Sequence, residues 1–151
     1  MIKSAEHFSF TVSNIGAALH FFHDLMGLDV TSAVEIDRPD IQRLVGIPDA
    51  ILRVAIVHVP GSANIELIEY VRPEGKKVDS RPCNAGIAHI AFLVDDIERT
   101  YRELTARGVR FVSPPVWAPG NDGKGKWGVC YMKGPDDITI EVIERRSEGL
   151  T

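Results

Sequence analysis

The sequence has only two cysteines, Cys83 and Cys130, and they form no C-x-x-C motif and no zinc-ligand spacing. Nothing here indicates a disulfide framework, and we interpret both residues as reduced thiols. The sequence also lacks any apolar run approaching the roughly 20 residues that span a bilayer. Its first residues contain no apolar signal core. These absences predict a cytoplasmic protein with no membrane partner.

An excess of positive charge is missing as well. The chain has 17 Lys and Arg residues against 21 Asp and Glu residues, which gives a formal net charge of −4. A chain of this charge has no electrostatic footprint for nucleic acid, so we expect no nucleic-acid partner. With 151 residues, of which 44% are hydrophobic, the chain is long enough for one domain or for two small halves that share a core.

What the sequence does contain is an internal repeat. The segment that begins at His7 follows the frame H-x-x-F-x-V-x-x-I, and the segment that begins at His89 repeats this frame 82 positions later (89 − 7). A second pair of segments, I-E-L-I-E and I-E-V-I-E, places Glu66 and Glu141 75 positions apart (141 − 66). Two histidines and two glutamates therefore occupy equivalent positions of the repeat.

The hydrophobic periodicity predicts an α+β fold made of two β-α-β-β-β modules. We place the first module at residues 5–70 and the second at residues 87–144. A polar linker at 71–86 joins them within a single domain that covers residues 1–151. Each module is expected to pack one helix on one face of a four-stranded sheet. The opposite face would then be open, so the two modules should pair, either within one chain or between two chains.

Several local features are also predicted from composition. Helix N-caps are expected at Ser13 or Asn14 and at Asp95 or Asp96. Further expectations are one strand over 28–36, a long loop over 113–126 that carries Lys124 and Lys126, and a frayed polar tail over 144–151. Two glutamates that fall in the opposite strand phase, Glu69 and Glu144, are interpreted as surface charges.

Strand alternation places the repeated histidines and glutamates on the face of each sheet that is not covered by the helix. His7 shares its face with Ser9 and Thr11, while Phe8 and Phe10 are predicted to point towards the helix. A carboxylate flanked by apolar strand residues is costly unless it is paired or bound to a cation. A lone histidine or glutamate on a strand is more often a hydrogen-bonded or solvated residue than a ligand. The two copies of a repeat can also retain both residue types through shared ancestry alone. Recurrence of both residue types nevertheless favours a shared function.

We therefore predict one divalent metal ion bound by His7, Glu66, His89 and Glu141. Two neutral imidazoles and two carboxylates suit a transition ion of borderline hardness, and Zn, Ni, Co, Mn and Fe(II) are all admissible. Four protein ligands leave positions open on an ion that accepts six. A small substrate with two neighbouring oxygens could chelate the ion there.

At this point the chain resembles the vicinal oxygen chelate superfamily, which includes glyoxalase I, methylmalonyl-CoA epimerase, extradiol dioxygenases and bleomycin resistance proteins. The resemblance covers nearly the whole chain and rests on five segments: HFSFTV from residue 7, FHDLMGL from 22, IELIE from 65, HIAFLVDD from 89 and GPDDITIEVIE from 134. It implies paired β-α-β-β-β modules that form a cupped mixed sheet around a metal site, commonly in a homodimer.

The set of four ligands is similar to that of the glyoxalase I and epimerase branches. This similarity implies a lyase or isomerase/epimerase that enolises a small substrate with neighbouring oxygens through a metal-chelated enediolate. The catalytic base would be Glu141, or Glu66 for the opposite face of the substrate. Asp49 is a third candidate, because it is the nearest match to an additional acidic residue of the epimerase. The first strand lacks the arginine with which glyoxalase I holds glutathione.

Two alternatives from other classes stay open. A ring-cleaving dioxygenase of the extradiol type would need only two His and one Glu around iron, and dependence on Fe(II) and O₂ would select it. A binding or resistance protein without catalysis usually lacks the metal set, and ligand binding unaffected by removing metal would select it. The loops at 37–50 and 113–126 are expected to determine the substrate.

Overall fold

The structure, a computed structural model, describes residues 1–120, 123 and 125–147. The chain divides into two compact units, of which the first ends at Val78 and the second begins at Asp79. Each unit contains one copy of the sequence repeat. Among the described residues, no helix is long and apolar enough to cross a membrane.

The first unit is built on a five-stranded mixed sheet. Its elements in chain order are β1 (His7–Thr11), α1 (Ile15–Leu19), a π-helical continuation of α1 (His20–Leu25), β2 (Asp29–Val30), β3 (Val34–Ile36), α2 (Pro39–Val45), β4 (Ile51–His58) and β5 (Asn64–Arg72). The strand order is β1-β5-β4-β2, and β3 also pairs with β4. β1 runs parallel to β5, whereas the other pairs are antiparallel.

The second unit repeats this arrangement. Its elements are β6 (His89–Leu93), α3 (Ile97–Ala106), β7 (Arg110–Phe111), β8 (Val116–Pro119), β9 (Lys126–Lys133), a 3₁₀ turn (Pro135–Asp137) and β10 (Thr139–Arg146). The strand order is β6-β10-β9-β7, with β8 also on β9 and with β6 parallel to β10. The predicted α+β fold of two β-α-β-β-β modules is confirmed, but each sheet has five strands rather than the four that were predicted.

The core of each unit lies between its main helix and one face of its sheet. In the first unit, Phe22 of the helical segment and Ile65 of β5 are fully buried. In the second unit, Ile97 of α3 and Ile140 of β10 are fully buried in the same way. Burial of a side chain of this size contributes about 1.5–3 kcal/mol. The core thus fixes which face of β5 and β10 is turned away from the helix.

Side-chain caps start the first helix of each unit. Asn14 Oδ1 accepts a hydrogen bond from the backbone N–H of Ala17 at 2.8 Å, and Asp96 Oδ1 accepts one from Arg99 at 2.8 Å. Each cap satisfies a backbone donor that the helix itself leaves without a partner. Between the predicted alternatives, the structure selects Asn14 and Asp96.

The predicted strand over 28–36 is divided in two. Val30 of β2 pairs with Val57, whereas Val34 of β3 pairs with Val54. The four residue steps from Val30 to Val34 are therefore opposite only three steps along β4, from Val57 to Val54. The extra residue interrupts the ladder as a bulge does, so one continuous strand cannot form.

The predicted loop over 113–126 was wrong in part, because it contains a strand. β8 pairs with β9 from Val116, opposite Val129, to Pro119, opposite Lys126. Prolines had suggested a loop, but proline is tolerated on an edge strand, where its missing N–H faces away from the ladder. Lys126 begins β9, and the prediction for Lys124 lies outside the described residues.

Phe8 lies on the predicted face of β1 but is exposed there. Its register with Ile65 does place it on the predicted face of the sheet, yet its exposed fraction is 54%. Phe10, two residues further along the strand, is half-buried, and Val12 is buried. Burial therefore increases along β1 towards the helix, and alternation alone did not show this gradient.

Both cysteines are free thiols, as the sequence predicts. Cys83 is exposed, whereas Cys130 is buried in β9. Burial raises the pKa of the Cys130 thiol to about 11, because a buried thiolate loses its hydration. Cys130 is therefore protonated at neutral pH and contributes to packing rather than to chemistry.

Candidate metal centre

The first His–Glu pair is assembled by the parallel strands β1 and β5. Their register sets Ser9 opposite Glu66 and His7 opposite Asn64, so all these residues face the same side of the sheet. His7 Nε2 lies 3.3 Å from Glu66 Oε2, and the Ser9 hydroxyl donates to the same carboxylate oxygen at 3.2 Å. The two predicted ligands of this module are therefore brought together.

The second pair is assembled in the same way by β6 and β10. The register sets Ala91 opposite Glu141 and His89 opposite Thr139. His89 Nε2 lies 3.2 Å from Glu141 Oε2. The Glu141 side chain is only 16% exposed, whereas that of His89 is 43% exposed. The imidazole of this pair is therefore more accessible to solvent than the carboxylate.

The two pairs fit the donor geometry of a metal ion. Ligand atoms at about 2.0–2.2 Å from one ion lie about 3 Å or slightly more from each other, and both observed separations fall in that range. Nitrogen of a neutral imidazole and oxygen of a carboxylate are suitable donors. Within either unit, the described residues bring no three His, Cys, Asp or Glu side chains into a metal-binding group. Each module thus supplies two donors.

Asp49 lies away from the first pair. It precedes β4 with a left-handed backbone (φ +56°), and its carbonyl oxygen accepts a hydrogen bond from Arg72. Glu66 is instead opposite Ile56, near the other end of β4. Seven residues of extended chain span roughly 20 Å. Asp49 is therefore poorly placed to act beside Glu66 within this unit.

The ionisation of His7 is tuned by its neighbours. Glu6 hydrogen-bonds to Nδ1 of His7, and this bond raises the pKa of the imidazole above its ordinary value. Desolvation opposes the shift, and the negative charge of Glu66 adds to it. The imidazolium form is thus favoured in the folded chain. A metal ligand must be neutral, so protons compete with an ion at His7 at a higher pH than at an unperturbed histidine.

We expect Glu6→Gln to lower the pKa of His7, because it removes the charge of the hydrogen-bonding partner. The raised pKa stabilises the fold at pH values below the unfolded-state pKa, and this contribution is lost as the pH rises through the folded-state pKa. NMR titration of the histidine resonances in the metal-free protein measures the shift. Glu74→Gln in the linker is the matched control. An unchanged His7 pKa in Glu6→Gln would contradict the assignment.

The two glutamates that were interpreted as surface charges accept hydrogen bonds from the first residues of the helices. Glu69 Oε2 accepts a hydrogen bond from the backbone N–H of Ile15 at 2.8 Å, and Glu144 Oε2 accepts one from Ile97 at 2.9 Å. The prediction that both are surface charges was wrong for Glu144, which is buried, and Glu69 is only 18% exposed at its side chain. Both carboxylates lie next to a helix N-terminus, where the backbone dipole favours a negative charge.

The predicted tail that begins at residue 144 is therefore wrong at its start. β10 continues to Arg146, and the Arg146 side chain hydrogen-bonds to the second oxygen of Glu144. Residues 148–151 lie outside the described residues. The carboxylate of Glu144 thus connects the end of β10 to the first turn of α3.

Tyr131 is a residue near the second His–Glu pair that the sequence did not identify. Each His–Glu pair with its surroundings is called a half-site below. It lies opposite Glu141 in the β9–β10 ladder, and its ring centroid is 5.6 Å from that of His89. The equivalent residue of the first module, opposite Glu66, is Ile56. The sequence signal that could have found Tyr131 is the repeat offset of 75 (131 − 56), which aligns it with Ile56 as it aligns Glu141 with Glu66. An aromatic hydroxyl therefore distinguishes the surroundings of the second pair from those of the first.

Known proteins share both the sequence pattern and the fold. A model of the Glyoxalase/Bleomycin resistance protein/Dioxygenase superfamily matches residues 4–142. A 2-epi-5-epi-valiolone epimerase from an Actinomyces species is 26% identical over 145 residues, which cover 93% of this chain and 78% of the relative. Relatives of this kind support an enzymatic role at the level of the family.

Solved structures agree with this assignment. A glyoxalase family protein from Bacillus cereus superposes with a TM-score of 0.78 at 22% identity, over 96% of this chain and 95% of that chain. The trypanothione-dependent glyoxalase I of Leishmania major gives a TM-score of 0.64 at 16% identity, over 95% and 87% of the two chains. At these identities the similarity shows the shared fold. Because the family model matches nearly its whole length, this chain belongs to the glyoxalase/bleomycin resistance protein/dioxygenase superfamily.

Proposed function

We propose that this protein is a metal-dependent lyase or isomerase/epimerase that removes a proton next to a carbonyl group of a small substrate. The observation that carries the proposal is the pair of His–Glu contacts, at 3.3 Å and 3.2 Å, at equivalent positions of the two modules. The similarity to an epimerase supports the isomerase/epimerase branch. Proteins of the superfamily generally bind a divalent metal ion.

In this proposal one divalent ion is held by His7, Glu66, His89 and Glu141, with one pair from each module. The two carboxylates balance the charge of the ion, and the two neutral imidazoles add donors that suit Zn, Ni, Co, Mn or Fe(II). When bound, the ion would polarise the substrate oxygens and lower the cost of negative charge on them. The modules that supply the pairs belong either to one chain or to two copies in a homodimer.

We assign the role of general base to Glu141 in preference to Glu66. Ser9 donates a hydrogen bond to the Glu66 carboxylate and holds it in place. The equivalent residue of the second module is Ala91, which has no donor group in its side chain. The Glu141 carboxylate is therefore freer to move and to accept a proton. His89, 3.2 Å away, orients it.

The metal content of the purified protein tests the proposal. We expect about one divalent ion per pair of modules, lost in both His7→Ala and Glu141→Ala, because each variant removes a donor from a different module. His20→Ala is the matched control, since His20 is exposed and bonds to Asp24. An ion retained in either ligand variant would contradict the four-residue site. If the protein took up none of Zn, Ni, Co, Mn or Fe(II), the enzymatic proposal would be contradicted. The alternative of a protein that binds a small molecule without metal would then be favoured.

A further inference from the structure

A cavity of about 430 Å³ lies within the second unit. It is formed by the segment 79–82, by β7 and β9, and by the turn that leads into β10. Its volume lies within the range of about 300–1,000 Å³ that is typical of sites for small molecules. None of the four proposed metal ligands lines it. The cavity is therefore distinct from the His–Glu pair, although both belong to the same sheet.

The cavity contains one more positive group than negative groups. Three cationic side chains line it, Arg81, Arg110 and Lys133, against the two carboxylates of Asp79 and Asp137. Its excess charge is +1, in a chain whose formal net charge is −4. A bound anion would balance this excess charge.

The two arginines already have carboxylate partners. Arg81 pairs with Asp79 at 2.6 Å, and this bond lowers the pKa of the Asp79 carboxyl. Arg110 hydrogen-bonds to the carboxylate of Asp137. These pairs leave the ammonium group of Lys133 as the source of the excess charge.

Lys133 meets only uncharged oxygens among the described residues. Its ammonium group donates to the Thr139 hydroxyl at 3.1 Å and to the carbonyl oxygen of Asp137 at 3.4 Å. The hydroxyl of Ser80 donates to the same carbonyl at 3.4 Å. An ammonium group has three donors and no acceptor, so Lys133 retains the capacity to bind an anion in the cavity.

The cavity is connected to the second half-site by two shared residues. Tyr131 lines the cavity and lies opposite Glu141 in the ladder, with its ring beside His89. Thr139 also lines the cavity, and it is the register partner of His89. Lys133 is the register partner of Thr139 in turn, so an acidic group bound at Lys133 would lie in the same row of the sheet as His89, two strand spacings away. Two strand spacings correspond to about 10 Å, which a single substrate of modest length can bridge.

We propose that this cavity binds a carboxylate group of the substrate through Lys133, with the hydroxyl groups of Ser80, Tyr131 and Thr139 around it. The substrate would then be a carboxylic acid whose two neighbouring oxygens lie at the His89–Glu141 pair, and in this respect the inference rests on the proposed function. One excess positive charge matches a monoanion, whereas a phosphate monoester, with about −1.5 to −2 charges, would leave negative charge without a partner.

Butyrate is a suitable probe, because it has one carboxylate and no neighbouring oxygen that chelates a metal. We expect saturable NMR shifts of the backbone amides of Ser80, Lys133 and Thr139 when butyrate is added to the protein. The same shifts are expected after metal has been stripped with EDTA and the chelator removed by dialysis. Shifts that disappear with the metal would place the carboxylate on the ion and overturn the inference. This readout is independent of whether the chain binds metal at all.

Variants at the cavity make the test specific. Lys133→Met keeps the length of the side chain but removes its charge, and it should weaken butyrate binding by about tenfold or more, as the loss of a charged hydrogen bond does. Lys133→Arg should restore binding, and Lys76→Met in the linker should not affect it. Arg110→Gln, at a side chain that is 72% exposed, should also weaken binding because it frees the Asp137 carboxylate.

Three further results would overturn the assignment. Equal butyrate affinity in Lys133→Met and in the unsubstituted protein would exclude the cavity as the carboxylate site. Shifts that grow linearly, without saturation, and that chloride reproduces would indicate nonspecific ion binding. If inorganic phosphate bound more tightly than butyrate, with the same dependence on Lys133, the cavity would be assigned to a phosphate group instead of a carboxylate.

Discussion

Glu141→Gln is expected to slow solvent deuterium exchange into an enolisable substrate by about 10²–10⁴-fold, which is the range that a positioned general base contributes. The amide of Gln preserves the volume and one oxygen donor of the carboxylate, but it does not accept a proton at neutral pH. The exchange rate is measured by NMR at a metal concentration that saturates the variant. Because the variant is then saturated with metal, a slower exchange rate reports the loss of the base and not the loss of the ion.

Glu66→Gln is the matched comparison for Glu141→Gln. Both residues have a histidine nitrogen at 3.2–3.3 Å, but only Glu66 is held by a serine hydroxyl. We therefore expect the loss in Glu66→Gln to be restored by added metal and the loss in Glu141→Gln to persist. The opposite order would transfer the role of base to Glu66. Small losses in both variants would exclude either glutamate as the base.

The two-residue period of the strands and the repeat made the half-sites predictable. His7 and Glu66 are 59 positions apart (66 − 7), and no local pattern connects them. Their shared recurrence as His89 and Glu141 identified them, because equivalent strands of a repeat occupy equivalent places in the sheet. Strand alternation then gave the correct face, as the parallel registers confirm.

The roles of the remaining polar residues could not be predicted, because strand phase does not show what covers a face. Glu69 and Glu144 were correctly placed in the opposite phase to Glu66 and Glu141. On that face a helix N-terminus provides each carboxylate with a backbone N–H donor. The carboxylates are therefore hydrogen-bonded to the protein, whereas the sequence alone had suggested that they are solvated. Tyr131 was missed for a different reason, since a repeat draws attention to residues that recur.

The cavity of the second unit depends on a segment that has neither helix nor strand. Residues 79–82 reach the turn between β9 and β10 through Ser80, which donates a hydrogen bond to the Asp137 carbonyl 57 residues away in sequence. Sequence reasoning assigned this segment to a polar linker, because its composition is that of a turn. Contacts of such a segment with distant strands have no periodic signature, so the cavity and its excess charge become visible only in the fold.

Glu144 is the polar residue whose loss should most affect stability. It is 6% exposed, and it receives the backbone N–H of Ile97, the first residue of α3, at 2.9 Å. Ile97 itself is fully buried, so its N–H has no access to water once the carboxylate is removed. A buried donor without a partner costs about 1–3 kcal/mol, and a lost charged bond costs the upper part of that range.

We therefore expect Glu144→Ala to lower the free energy of unfolding by about 2–3 kcal/mol, measured as a shift of the urea unfolding midpoint at constant slope. Glu144→Gln should cost less, because an amide oxygen can still accept the Ile97 bond. Glu69→Ala is the matched variant of the first module, and its smaller burial predicts a smaller loss. If Glu144→Ala changed the free energy of unfolding by less than about 0.5 kcal/mol, as an ordinary surface substitution does, the sequence-based interpretation of Glu144 as a surface charge would be the better description.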